Sequence, residues 1–131
     1  MICYKLTLST STDRGRSFAS WGKYDAVYQI GETTYPVKGT KLFVFKHLKD
    51  LKRFTELSGS VFKCEAKNPR KLGAIASGMH PEFIDLFWEK FHEMRKKKKN
   101  ISLLIGRDYT VKAAPKGTYS CDSVKLLKKI R

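Results

Sequence analysis

"PEFIDLFWEKFHEMRKKKKN", residues 81–100, decides the fold class, because it sets one long amphipathic segment into a chain that otherwise reads as short strands. Pro81 suits the first helical position, where a missing backbone N–H costs nothing, and Glu82 and Asp85 lie at the positive end of the helix dipole. At about 100° per residue, Phe83, Ile84, Phe87, Trp88, Phe91 and Met94 fall on one side, and Glu82, Asp85, Glu89 and Glu93 on the other. The spacing predicts a helix to about residue 98, packed through Phe83, Phe87, Trp88 and Phe91 on a sheet face. Its last cations sit where carbonyl dipoles favour them, and Asn100 is expected to close it in a left-handed conformation.

Working outward, "KLFVF" (41–45) and "SVFKCEA" (60–66) read as strands that need not be neighbours. "KHLKDLKRFTEL" (46–57) between them takes a helical period, with Leu48, Leu51, Phe54 or Thr55, and Leu57 inward and Lys46, Lys49, Lys52 and Arg53 outward. "ICYKLTLS" (2–9) alternates as a half-buried strand, with Ile2, Tyr4, Leu6 and Leu8 opposite Cys3, Lys5, Thr7 and Ser9. Residues 10–23 read as a long loop, "YDAVYQI" (24–30) as a strand, and "TTYPVK" (33–38) as an edge piece limited by Pro36. Residues 68–79 read as a connection, with a basic cluster at Lys67, Arg70 and Lys71. "ISLLI" (101–105) and "YTVKA" (109–113) read as strands about a turn at Gly106-Arg107-Asp108. "SVKLLKKI" (123–130) fits a strand through Val124, Leu126 and Ile130 and a helix through Val124, Leu127 and Ile130; the weak cap at Asp122-Ser123 favours the strand. The expectation is a single α+β domain over 1–131: a mixed, mainly antiparallel sheet with two helices, the longer packed on one sheet face.

The order of "YKL", "LFVFKHLKDLKRF", "VFKCEAKNPRKL" and the terminal "GTYSCDSVKLLKKI" resembles small uncharacterised proteins encoded by phages, other viruses and bacteria. The resemblance covers about half of the chain, implies a strand, a helix and a strand before an extended tail, and implies no known activity. It also favours the strand reading of "SVKLLKKI". "STST" (9–12) resembles the Ser-Thr-Ser element of ADP-ribosyltransferases, which place an Arg before it and a Glu late in the chain. Here only Lys5 precedes it and "SVKLLKKIR" holds no acid, so that enzyme reading is a minor alternative.

Charge sets the class of partner. The chain carries 27 Lys+Arg against 12 Asp+Glu, and residues 95–131 alone hold twelve cations and two Asp, ten of the fifteen net charges. Such an excess attracts nucleic acid and other polyanions. The alternative is a set of solvated faces without a ligand. "RGRSFASWGK" (14–23) adds aromatics to cations, as single-strand binders do. The expected contacts are Arg14, Arg16, Lys23, Lys49, Arg53, Arg95, Lys96, Lys97, Lys98 and Lys99 to phosphates, with Phe18 or Trp21 stacking. The acidic side of the 81–94 helix excludes it as a groove-reading helix.

No apolar run is long enough to span a bilayer, and "MICYKLTLST" lacks the form of a secretory signal, so a cytoplasmic location is expected, in a host cell if the protein is viral. Cys3, Cys64 and Cys121 are expected as free thiols. Neither a Gly-rich phosphate loop nor zinc spacing is present (His80 and His92 are twelve apart), so no cofactor and no metal are expected. The function expected is non-catalytic nucleic-acid binding, DNA or RNA; the alternative is a protein-interaction module for an acidic surface, with a homodimer through the aromatic helix side as a further possibility.

Overall fold

The structure is a computed structural model that describes residues 1–9, 14–17, 27–51, 60–77 and 81–130, the side chains of 8, 9, 14–17 and 81 excepted. The strands in chain order are β1 (Ile2–Ser9), β2 (Arg14–Ser17), β3 (Val27–Gln29), β4 (Thr33–Thr34), β5 (Leu42–Phe45), β6 (Ser60–Lys67), β7 (Arg70–Lys71), β8 (Ala74–Ala76), β9 (Val111–Ala113), β10 (Thr118–Cys121) and β11 (Ser123–Lys129). The helices are α1 (Leu48–Leu51) and α2 (Pro81–Lys96), with a 3-10 turn at Ile101–Leu104. This is the expected α+β fold, and every strand pairing among the described residues is antiparallel.

The main sheet runs β4-β11-β6-β1-β5-β10-β7, with β2 and β3 continuing from the far half of β1. Three strands separate β10 from β11 in this order, yet only Asp122 separates them in the chain. They are halves of one bent strand, so the sheet has to curl back on itself. A bond from the Gly31 N–H to the Leu126 carbonyl (2.9 Å) draws the end of β3 onto β11 on the other side. Cys3, Tyr28, Val44, Phe62, Cys64, Cys121, Val124 and Leu126 fill the enclosed space, none more than 1% exposed.

That closure reverses the expected facing of β1. The Cys3, Lys5 and Thr7 side, read from sequence as the polar face, points into the core, while Ile2 is 49% exposed. Lys5 is accommodated because its Nζ donates to the Phe43 carbonyl (2.6 Å) and lies 5.1 Å from the Tyr28 ring centroid, so the ammonium keeps partners that replace water. The other side of β1 is also covered: Leu6 packs with Val61 of β6 and Leu51 of α1.

α2 begins at Pro81 as predicted and buries Ile84, Phe87, Trp88 and Met94, with Phe83 and Phe91 half-buried. Trp88 stacks on Phe43 of β5 (centroids 5.6 Å, planes 2° apart), which seats the helix on the sheet. Ala74, Ile101 and Val111 complete this second core, against the small sheet formed by β8 and β9.

Several local expectations need correction. Residues 14–17 form β2, paired with β1 and β3, where a loop was expected. The 68–79 connection contains β7 and β8. "ISLLI" is a 3-10 turn, and the "YTVKA" segment pairs through β9 with β8 instead of folding back on it. The residue that turns left-handed after α2 is Lys98 (φ 55°), not Asn100. Its N–H bonds the Arg95 carbonyl (2.9 Å) and the Lys99 N–H bonds the Met94 carbonyl (2.8 Å), the paired closure of a Schellman end. Asn100 (φ −82°) instead caps the 3-10 turn, its Oδ1 accepting from the N–H (2.9 Å) and hydroxyl (2.8 Å) of Ser102. The α1 prediction holds for Leu48–Leu51; residues 52–57 lie outside the described residues.

Candidate anion cleft

The Schellman end of α2 does more than stop a helix. Arg95 stands in the last turn of α2 and Lys99 just beyond the left-handed Lys98, and the closure brings both to the same cleft. β6 ends opposite them. Asn68 takes a left-handed conformation (φ 52°), reverses the chain into β7, and brings Arg70 and Lys71 to the sheet edge, where they pair with Ser120 and Tyr119 of β10. Lys41, just before β5, completes the set.

Between these elements is a cleft of about 520 Å³, lined by Lys41, Arg70, Lys71, Arg95 and Lys99 together with Asn68, Pro69, Leu72, Phe91, Asn100, Ile101, Ser120 and Asp122. Among the described residues, five cations therefore face one carboxylate. That carboxylate is already engaged: Asp122 accepts from Lys41 Nζ at one oxygen and from Asn68 Nδ2 at the other (3.0 Å), while its backbone N–H bonds the Lys67 carbonyl (2.9 Å). The Lys41 bond, then the Asn68 bond, holds the Asp122 carboxyl below the usual carboxylate range. The bend between β10 and β11 is thus fastened to the turn between β6 and β7, and most of the cleft's positive charge is left for a ligand.

The walls differ. On the sheet side they are polar. On the helix side, half-buried Phe91 carries the Arg95 guanidinium 5.8 Å from its ring centroid, so a planar cation is held over an aromatic face. Leu72 and Ile101, both buried, form apolar ground beneath.

Of the residues expected to contact phosphates, the structure brings Arg95 and Lys99 into the cleft. Lys97 bonds Glu93 (3.3 Å), one turn back on the helix, and Lys96 and Lys98 are exposed without lining the cleft. Lys49 is exposed on α1, also away from the cleft lining. Arg14 and Arg16 stand on β2 with side chains outside the described residues, as are Phe18, Trp21, Lys23 and Arg53. Most of "STST" also lies outside. Lys41 carries no signal in its own stretch of sequence, and Arg70 and Lys71 show there only as part of a basic connection; nothing local signals that β10 would set them opposite Arg95.

Other chemistries find little footing among the described residues. All three thiols are buried and free, with Cys3 and Cys64 facing across β1 and β6 (Sγ to Sγ 3.2 Å). The bond to Cys3 and burial push the Cys64 thiol up, and burial pushes Cys121 up to about 12. His47 and His92 are exposed, so neither meets a thiol as a nucleophile–base pair would. Among the described residues no group of three His, Cys, Asp or Glu is placed to hold a metal ion, and no helix is long and apolar enough to cross a membrane. In comparison with known proteins the chain matches no family model, no curated protein and no solved structure.

Proposed function

We propose that this protein binds nucleic acid, without catalysis, through the cleft between the end of α2 and the β6–β7 turn. One observation carries the reading: among the described residues, cations from three separate parts of the chain meet in a single concavity whose one carboxylate is already held by Lys41 and Asn68. Phosphate oxygens are the acceptors such a set recognises, and release of condensed counterions drives the association. Reduced, buried thiols suit a cytoplasmic setting.

The test is binding to single- and double-stranded oligonucleotides across a salt series. Affinity is expected to fall linearly in log–log form, and the Arg70→Ala, Arg95→Ala double variant to lower the slope by about 2. The Lys96→Ala, Lys98→Ala pair is expected to leave most of the slope. No measurable affinity at low salt removes the proposal.

The second reading is an acidic protein surface as partner. It is favoured by the exposed apolar groups that follow the lysine tract, Leu103 (55% exposed) and Tyr109 (81%), which phosphates would not use. Binding that survives high salt and is lost on Tyr109→Ala favours this reading over the first.

A further inference from the structure

We infer that the cleft takes an unpaired nucleotide, so that the ligand is a single strand or a strand end and not a continuous duplex. The inference rests on the nucleic-acid reading above and specifies the form of the ligand. Three features of the site lead to it.

The first is shape. The cations converge in a concave space of about 520 Å³, within the size range of pockets that enclose one small molecule. A duplex offers its phosphates as convex ridges flanking a major groove ~12 Å wide, and such ridges touch the rim of a pocket without filling it. A single strand bends freely enough to push one phosphate, sugar and base inside. The helix beside the cleft does not extend the site into a track. On its exposed side Glu93 lies 3.3 Å from Lys97 and 4.0 Å from Lys90, and Glu89 is exposed two turns before the Schellman end, so a rigid polyanion laid along α2 meets carboxylates there.

The second is the helix-side wall. A site for phosphates alone has no use for an aromatic ring, yet Phe91 lines this one and carries the Arg95 guanidinium over its face. Aromatic rings and guanidinium planes are the surfaces on which unstacked bases lie in single-strand recognition. In a duplex the base faces are occupied by neighbouring bases, and such a wall has nothing to receive.

The third is Asp122. A carboxylate in an anion cleft weakens phosphate binding unless it contacts a donor on the ligand. Its Oδ1 takes Lys41 and its Oδ2 takes Asn68, which leaves each oxygen acceptor capacity for one more donor, on a residue that lines the cleft. The exocyclic amines of bases and the hydroxyls of sugars are such donors, and the amines are free on the Watson–Crick edge only when the base is unpaired.

The experiment uses the full chain and fluorescence anisotropy across a salt series, with the probes compared at each salt concentration, and labelled DNA and RNA probes of about twelve nucleotides. The probes are a single strand, the blunt duplex of the same sequence, and that duplex with a single-stranded overhang. The single strand and the overhang are expected to bind about tenfold tighter than the blunt duplex. Arg95→Lys keeps the charge and removes the plane, so it is expected to shrink that preference while leaving the salt slope unchanged. Equal affinity for single strand and blunt duplex overturns the inference and leaves the nucleic-acid reading standing. An undiminished preference in Arg95→Lys overturns it too, because the planar wall then plays no part. Absence of salt-dependent binding to every probe removes the nucleic-acid reading itself, and this inference with it.

Discussion

The two larger hydrophobic cores among the described residues are assembled in opposite ways. Beneath α2, Ile84, Phe87 and Trp88 come from one stretch of chain and pack onto Phe43, Ala74, Ile101 and Val111. Inside the curled sheet, the buried side chains come one, two or three at a time from six strands, and include three cysteines and a tyrosine. The helical core follows from a period of 3.6 within sixteen residues; the sheet core exists only after residues as distant as Cys3 and Cys121 have been brought together. Local periodicity thus reports a helical core well, whereas a barrel-like core is reported only by closure. The cleft lies at the seam, with Phe91 and Ile101 from the helical side and Arg70, Ser120 and Asp122 from the sheet side.

The contrast can be broken most forcefully by emptying each core in turn. Phe62→Ala, at a fully buried position in the sheet core, is expected to lose about 3–5 kcal/mol of stability, and Trp88→Ala, under α2, an amount in the lower part of the same range. Both are expected to unfold in one transition, with far- and near-ultraviolet circular dichroism coinciding in denaturant, because Phe43 belongs to the main sheet and also packs against the helical core. Two separate transitions in Trp88→Ala alone would show that the cores fold independently.

A smaller loss is expected where α1 meets the sheet. Gly117 has a positive φ (84°), its carbonyl accepts from the Lys46 N–H (3.0 Å), and a Cβ there would overlap the buried Asp50 carboxylate. Gly117→Ala is expected to cost about 2–4 kcal/mol, from left-handed strain plus overpacking, measured by urea denaturation. A neutral result would mean that α1 moves aside without penalty.

The smallest effect is expected at the seam. The folded Asp122 carboxyl is held below its unfolded value, so its contribution to stability is present above about pH 4 and is lost as the pH falls through the folded value. Asp122→Asn is expected to flatten that part of the stability profile between acid and neutral pH only slightly, since the side chain is 40% exposed and water screens the Lys41 pair. An unchanged acid limb would mean that the fastening of the β10–β11 bend comes from the backbone bond to Lys67 alone.

The reading of the cleft divides in the same way as the cores. Arg95 and Lys99 were visible in the lysine tract, but so were Lys96, Lys97 and Lys98, and nothing in a run of five cations says which flank meets a partner. The Schellman end decides that, by turning at Lys98 and leaving the first and last members of the run on the cleft side. Arg70 and Lys71 were visible as a basic connection, yet β7 exists only because β10 offers it an edge, and Lys41 gave no signal in its own neighbourhood. The facing of β1 was misread for a related reason. A strand enclosed on both sides shows no hydrophobic face, and the alternation of Tyr4 and Leu6 with Lys5 and Thr7 suggested solvent on the side that closure buries.

By itself the sequence determined the fold class, the start of α2 and its buried side, the strand character of "LFVF", "SVFKCEA" and "SVKLLKK", and the surplus of positive charge, because each depends on neighbours within a turn or two or on composition alone. The tertiary structure alone decided that the sheet curls at Asp122, that Lys5 lies inside, and that five scattered cations share one concavity. Those outcomes depend on pairings between residues tens of positions apart, whose geometry is set by register and closure and leaves no trace in the local pattern of side chains.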